Sequence, residues 1–335
     1  WLKQFGLHPA PTMDSPSSDC SGFITPNYEK IVDVSIRSLP GLRLSFEQCS
    51  VWGECATGGL LWHSDRVMAE YVANLSTSSS GNLWDGFFQG CKEDGRTESK
   101  ELLTGHMHEL ENPAMAGGMV LCLGCGGAPL SGLVACAAGW DVVLTDLESV
   151  LAQTQRNVSR NLSTLRESLS RLEVVVPSMQ LPFGDNAALM AALKLGEAKQ
   201  GGKSMMRSLL ILCSDCIWMK GVHEPLLETI SDALCHCEAP GNAAALVAFE
   251  ARDRDTERAF FQLAESATFG LQVTRLNIDH EMSCMDWPRE VLLVRRSSHG
   301  LSNKFFLYRL TMGKEVVPAV LERRLRRNIT PLSPS

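Results

Sequence analysis

The chain has 335 residues, of which 44% are hydrophobic and 21% charged, and it carries a formal net charge of −7. That length can bury one large α/β core or two small ones. The acidic balance argues against a broad nucleic-acid footprint, and no run of 18 apolar residues is present to cross a membrane as a helix. The twelve cysteines follow no disulfide framework, and no leader-like segment opens the sequence. A reducing compartment is therefore expected, cytoplasmic or nuclear. Cys235-His236-Cys237 has no second cysteine pair at zinc spacing, so no metal site is expected.

In chain order, residues 1–28 are rich in Pro, Ser and Asp without periodicity and read as a loose arm. The chain starts at Trp1, so a preceding segment is expected. Ile31–Arg37 and Leu42–Glu47 flank Leu39-Pro40-Gly41 and predict a hairpin. Ser64 is placed to cap a helix whose apolar face is Val67, Met68, Tyr71, Val72 and Leu75. From 76 to 117 the periodicity collapses, which predicts a flexible insertion with Leu83-Trp84 and Phe87-Phe88 as anchors.

Met119–Leu123 is an apolar run of strand length, broken by Gly124, Gly126 and Gly127. Small apolar residues from Gly132 to Ala138 predict a closely packed helix, Gly139 ends it, and a second strand runs into Asp146. A strand, glycine loop, helix, strand and acid in that order suit a nucleoside. The glycines let the backbone approach the ligand, and the acid about 20 residues on accepts ribose hydroxyls. A dinucleotide needs backbone donors for its pyrophosphate, and Pro129 removes one. The loop therefore favours S-adenosylmethionine, which carries no phosphate, over NAD.

Leu147, Val150, Leu151, Val158 and Leu162 then mark an amphipathic helix, and Leu172–Val176 a third strand. Gly196–Lys203 reads as an exposed insert. Leu209–Cys213 is a fourth strand, followed by a helix at Val222–Leu234. Ala245–Phe249 is a fifth strand, and the helix around Phe260 and Ala264 comes next. Leu271–Leu276, Val291–Arg295 and Phe305–Leu310 complete the strands. Alternating strands and helices predict a mostly parallel sheet covered on both faces. The end of the chain, 313–335, carries the basic stretch Arg323-Arg324-Leu325-Arg326-Arg327, which could touch RNA or an acidic partner.

Several short motifs fall in one order. They are Thr57-Gly58-Gly59-Leu60-Leu61-Trp62, Leu123-Gly124-Cys125-Gly126, Leu144-Thr145-Asp146-Leu147 with Arg156-Asn157, Leu181-Pro182-Phe183-Gly184, and Asp215-Cys216-Ile217-Trp218. In that order and spacing the chain resembles the seven-β-strand, methyltransferase-like protein-lysine methyltransferases of the S-adenosylmethionine-dependent class I enzymes, over roughly residues 30–312 without the two inserts. The resemblance implies a Rossmann-like class I methyltransferase domain at 29–312, with a seven-stranded, mostly parallel sheet and an N-terminal β-hairpin. It implies a cofactor pocket of Trp62, Gly124, Cys125, Gly126, Asp146, Leu147, Phe183 and Ser214, with Asp215 and Trp218 as catalytic residues at the acceptor end. The sequence departs from the family pattern at four points. Cys122 stands for an acid, Ala128-Pro129 for a third glycine, Phe183 for a tryptophan and Trp218 for a tyrosine.

The implied function is methyl transfer to a lysine of a cytosolic protein by a monomer that needs no membrane. Two alternatives stay open, a small-molecule N-methyltransferase acting on a heterocyclic amine and a non-catalytic binding module that keeps the fold.

Overall fold

Each residue of the central strand β3 (Gly118–Leu123) is buried, which is what a parallel strand covered on both faces requires. Val120 and Cys122 pack into one apolar cluster, Met119, Leu121 and Leu123 into another on the opposite face. The computed structural model describes residues 31–48, 56–77, 118–170, 173–199, 208–237, 242–278 and 305–313. The expected arm, the strand at Val291–Arg295, most of the 76–117 insertion and the basic tail lie outside the described residues.

The hairpin forms as β1 (Ile31–Ser35) and β2 (Arg43–Glu47), a two-stranded antiparallel sheet of its own. After a 3-10 turn at Ala56–Gly59, α1 runs from His63 to Thr77. Then come β3, α2 (Leu130–Ala137), β4 (Asp141–Asp146), α3 (Glu148–Leu169), β5 (Ser178–Gln180) and α4 (Asn186–Lys199). The chain continues with β6 (Ser208–Ser214), a 3-10 turn at Lys220–Val222, α5 (His223–Leu234), β7 (Ala243–Glu250), α6 (Arg254–Glu265), β8 (Leu271–Arg275) and β9 (Phe305–Met312). The seven strands of the main sheet lie in the order β5-β4-β3-β6-β7-β9-β8. β9 is antiparallel to both neighbours and the other pairs are parallel. Helices α1 to α3 contribute to the first apolar cluster and α4 to α6 to the second.

Three expectations are corrected. The third strand forms at Ser178–Gln180, not at Leu172–Val176. Val174 and Val176 are buried in the first cluster, so their alternation marks a core-facing segment. Pairing with β4 begins only after Pro177, opposite Leu144. Gly196 and its successors through Lys199 belong to α4 and not to an exposed insert. A Cβ at Gly196 would collide with Met119 Sδ, so the glycine marks close packing of helix on strand. Ser64 lies inside the first turn of α1, and its hydroxyl donates to Asp215 Oδ2 at 2.8 Å.

A ladder of side-chain amides on α3 docks the hairpin. Asn161 accepts from Ser45 N and donates to Ser45 O, both at 2.8 Å. Asn157 accepts from Glu47 N at 2.7 Å and donates to Glu47 O at 2.8 Å and Gly127 O at 2.6 Å. Gln153 donates to Glu47 O at 2.8 Å and Gly59 O at 3.1 Å. Each Asn amide thus offers β2 one donor and one acceptor, as a neighbouring strand would. Asn157→Ala takes their amide partner from Glu47 N and Gly127 O, while Glu47 O keeps Gln153, and we expect it to lower unfolding free energy by about 2–4 kcal/mol. Urea denaturation checks this, and a loss below about 1 kcal/mol would show that water replaces the amide.

Candidate functional site

The cavity lies beyond the carboxyl ends of β3, β4 and β6, where connections from β3 and β6 leave towards opposite faces, the usual ligand position in open α/β sheets. It brings together all ten residues singled out from the sequence. Trp62, Gly124, Cys125, Gly126, Asp146, Leu147, Phe183, Ser214, Asp215 and Trp218 all line it.

The glycine loop is shaped by two left-handed residues, Gly124 at φ 59° and Gly126 at φ 68°. A Cβ on Gly124 would lie 2.7 Å from Cys216 Sγ and 3.3 Å from the Phe183 ring, so only glycine leaves the ring its place. The loop is pinned from outside. Gly127 N donates to Gly58 O at 2.6 Å, Thr154 Oγ1 donates to Gly126 O at 2.9 Å, and Asn157 holds Gly127 O. Cys125 is held with a thiol pushed well up by burial, so it offers the cavity its backbone and not a thiolate.

Asp146 closes the loop. Its Oδ2 accepts from Gly126 N and its Oδ1 from Leu147 N, both at 2.7 Å. Burial raises its pKa, and the two backbone donors oppose that shift. Each oxygen keeps lone-pair capacity for a further donor such as a ribose hydroxyl.

Asp65, which the sequence did not single out, also lines the cavity. It comes from the first turn of α1 and caps α2 from outside, accepting from Ser131 N at 3.3 Å and also from Leu130 N. With Pro129 at the N-cap of α2, the donors that a pyrophosphate would take there are absent or turned to Asp65. The cavity thus suits a phosphate-free nucleoside better than a dinucleotide, and Asp146 and Phe183 both line it.

At the far end Asp215 follows β6 at φ 56°. Its carboxylate takes both Nη atoms of Arg252 at 2.9 and 3.1 Å. The Arg252 guanidinium in turn lies 4.9 Å from the centre of the Trp62 ring. Ser214 Oγ is 3.0 Å from Ser64 Oγ. Trp218 is 43% exposed at the rim. Among the described residues, no group of His, Cys, Asp and Glu is arranged to hold a metal ion.

A family model described as lysine methyltransferase matches residues 42–267 of this sequence. The chain belongs to the lysine methyltransferase family. As a member it is an S-adenosylmethionine-dependent methyltransferase, and a cavity without phosphate donors suits that cofactor. No curated protein sequence matches the chain. Among solved structures, it is similar to an S-adenosylmethionine-dependent methyltransferase from Agrobacterium tumefaciens, at 12% identity and a TM-score of 0.40 over 89% of this chain and 76% of that one. It is also similar to human N-acetylserotonin methyltransferase in complex with the same cofactor, at 10% identity and a TM-score of 0.32 over 74% and 56%. A glycopeptide N-methyltransferase complexed with sinefungin aligns at 14% identity and a TM-score of 0.30 over 58% and 81%. The family assignment rests on the sequence match. No helix of the lysine methyltransferase family member described here is long and apolar enough to cross a membrane, among the described residues.

Burial pushes the Asp65 carboxyl from 3.8 up to about 6, against its hydrogen bonds to Ser131 and Leu130. Between about pH 4 and 6 the folded chain therefore holds a proton that the unfolded chain has lost. The stability this proton contributes is fully present below pH 3.8 and lost as pH rises through about 6, a change on the order of 3 kcal/mol. Asp65→Asn removes the titration. We expect its unfolding free energy relative to wild type to climb by that order between pH 4 and 7 in denaturant titrations. A constant difference would show that Asp65 ionises freely in the fold.

Proposed function

We propose that this methyltransferase modifies a lysine side chain of a protein. The observation that carries the reading is the form of the acceptor end. Trp62, Asp215 and Trp218 line the same cavity as the glycine loop, and Trp218 reaches the surface. An aromatic wall that opens to solvent admits one long side chain of a large substrate without enclosing the rest. The description of the family points the same way.

The cofactor, when bound, supplies an electrophilic methyl group on a sulfonium sulfur. Gly124 and Gly126 would let it lie against the backbone, Asp146 would accept its ribose hydroxyls and Phe183 would pack on its adenine. Transfer needs little more than alignment of the amine with that methyl, and alignment in an enclosed site contributes up to about 7–11 kcal/mol. A lysine has an unperturbed pKa near 10.4 and attacks only as the neutral amine. Trp62 and Trp218 strip water from it, and desolvation favours the uncharged form. The reaction requires neither a metal nor a covalent enzyme intermediate.

Two measurements test the reading. Asp146→Ala removes a charge-assisted acceptor from the ribose, and S-adenosylhomocysteine affinity should fall about tenfold to a hundredfold, or about 1.5–3 kcal/mol. Equal calorimetric affinities would remove Asp146 from the cofactor site. Incubation of a cell lysate with the enzyme and tritiated methyl donor should mark a protein band, and the label should map to lysine. Label confined to small molecules would favour a heterocyclic amine as acceptor, and no label a binding module.

A further inference from the structure

The Asp215 carboxylate has no room for an incoming ammonium. Its own N–H is tied to Ala248 O of β7 at 2.8 Å, which fixes the residue in its left-handed conformation. Oδ1 accepts from Arg252 Nη1 at 2.9 Å and from Glu250 N at 3.4 Å. Oδ2 accepts from Ser64 Oγ at 2.8 Å and from Arg252 Nη2 at 3.1 Å. A carboxylate offers about four lone-pair sites, and four donors take them. The same guanidinium covers the Trp62 ring and has Nη2 3.9 Å from Glu250 Oε2. One side chain therefore joins the ends of β6 and β7 to the start of α1.

We propose that Arg252 is the positioning residue of the acceptor end, holding Asp215 and Trp62 in register and neutralising Asp215 so that the acceptor amine is not trapped as an ammonium. This rests on the lysine reading above. A bare carboxylate beside the amine would favour its protonated form, which has no lone pair for attack. Paired with Arg252, Asp215 exerts no such pull. Among the described residues, the other titratable groups that feel the cluster are Glu250 on β7, Asp65 and His63 on α1, and Cys216 after β6. All four persist in the variants below, so differences between variants report on Asp215 and Arg252.

The first test needs no acceptor. In protein labelled with 15N at the indole nitrogens, Arg252→Gln should shift the Trp62 signal, assigned through Trp62→Phe. Asp215→Asn should shift it as well, because the guanidinium transmits the change. An unmoved Trp62 signal in both variants overturns the proposal, whether or not any protein is methylated. The second test uses the protein that the wild-type enzyme labels in the lysate, once purified. Arg252→Gln frees Asp215, so its KM for that protein should be no higher than wild type while kcat falls at least tenfold. The acid limb of the kcat profile should move to higher pH by about one unit or more, since a neighbouring carboxylate holds the proton on. Arg252→Lys keeps a charge without the two-pronged fit, and should hold the limb while leaving the Trp62 signal displaced. Arg252→Gln with Asp215→Asn leaves no unpaired charge, guards against loss of folding in the single variant, and should return the limb towards wild type. A limb that stays in place in Arg252→Gln, or one that moves equally in the double variant, refutes the neutralising role.

Discussion

The site depends on backbone groups of β2 and of the glycine loop finding partners on one helix. A two-stranded hairpin is marginal alone in water, and the outer edge of β2 must satisfy its N–H and C=O groups or leave them to solvent. Asn157 and Asn161 of α3 do this with side-chain amides, one residue of β2 for each. Asn157 also takes Gly127 O, and Gln153 reaches Gly59 O, so hairpin, 3-10 turn and glycine loop are fastened to the same rigid rod. The loop keeps its two left-handed residues largely because α3, the 3-10 turn and Asp146 hold it from outside. The consequence is a glycine loop whose backbone is braced from α3.

Charge is handled with the same economy. Three carboxylates line the cavity, Asp65, Asp146 and Asp215, while none of the described lining residues is lysine or arginine. Each acid is buried and each has donors, from the start of α2, from the loop backbone and from Arg252 respectively. With Asp215 balanced by Arg252, the Asp146 and Asp65 carboxylates leave the cavity unfavourable to phosphates and tolerant of a cationic ligand such as a sulfonium cofactor. The two ends differ in what balances the acid. Backbone dipoles leave Asp146 able to accept more, whereas a full guanidinium leaves Asp215 with nothing to offer.

Much of this was legible in the sequence where local pattern and chemistry coincide. The apolar run Met119–Leu123, the glycines after it and the acid ending β4 lie within 28 residues and report on one another directly. Elements that answer to distant neighbours were not. The stretch 187–195 is alanine-rich and shows no strong apolar stripe, so α4 left little trace, and Gly196 read as the start of an exposed insert when its reason is Met119 on another element. Ser64 has the residue type of a cap but spends its hydroxyl on Asp215, 151 positions away. Arg252 sits in a charged run after β7 that reads as solvent-facing, and its partners Trp62 and Asp215 are fixed only by the sheet. Asn157 could be picked out as part of a motif, but nothing in the motif says that it braces a hairpin.

The placement of β9 bears on how the molecule is made. It is the last strand in the described chain, yet it lies between β7 and β8, both of which are synthesised before it. Among the described residues, until it arrives β7 lacks its neighbour on one edge and β8 has no partner in the sheet, and Phe305, Leu307 and Leu310 are missing from the core. The strands that carry the cofactor cradle, β3, β4 and β6, are complete by then. A nascent chain emerging from the ribosome thus owns its binding cleft early and its finished sheet late. In the interval its open strand edges are the surfaces on which a chaperone would act, or at which two unfinished chains would stick together.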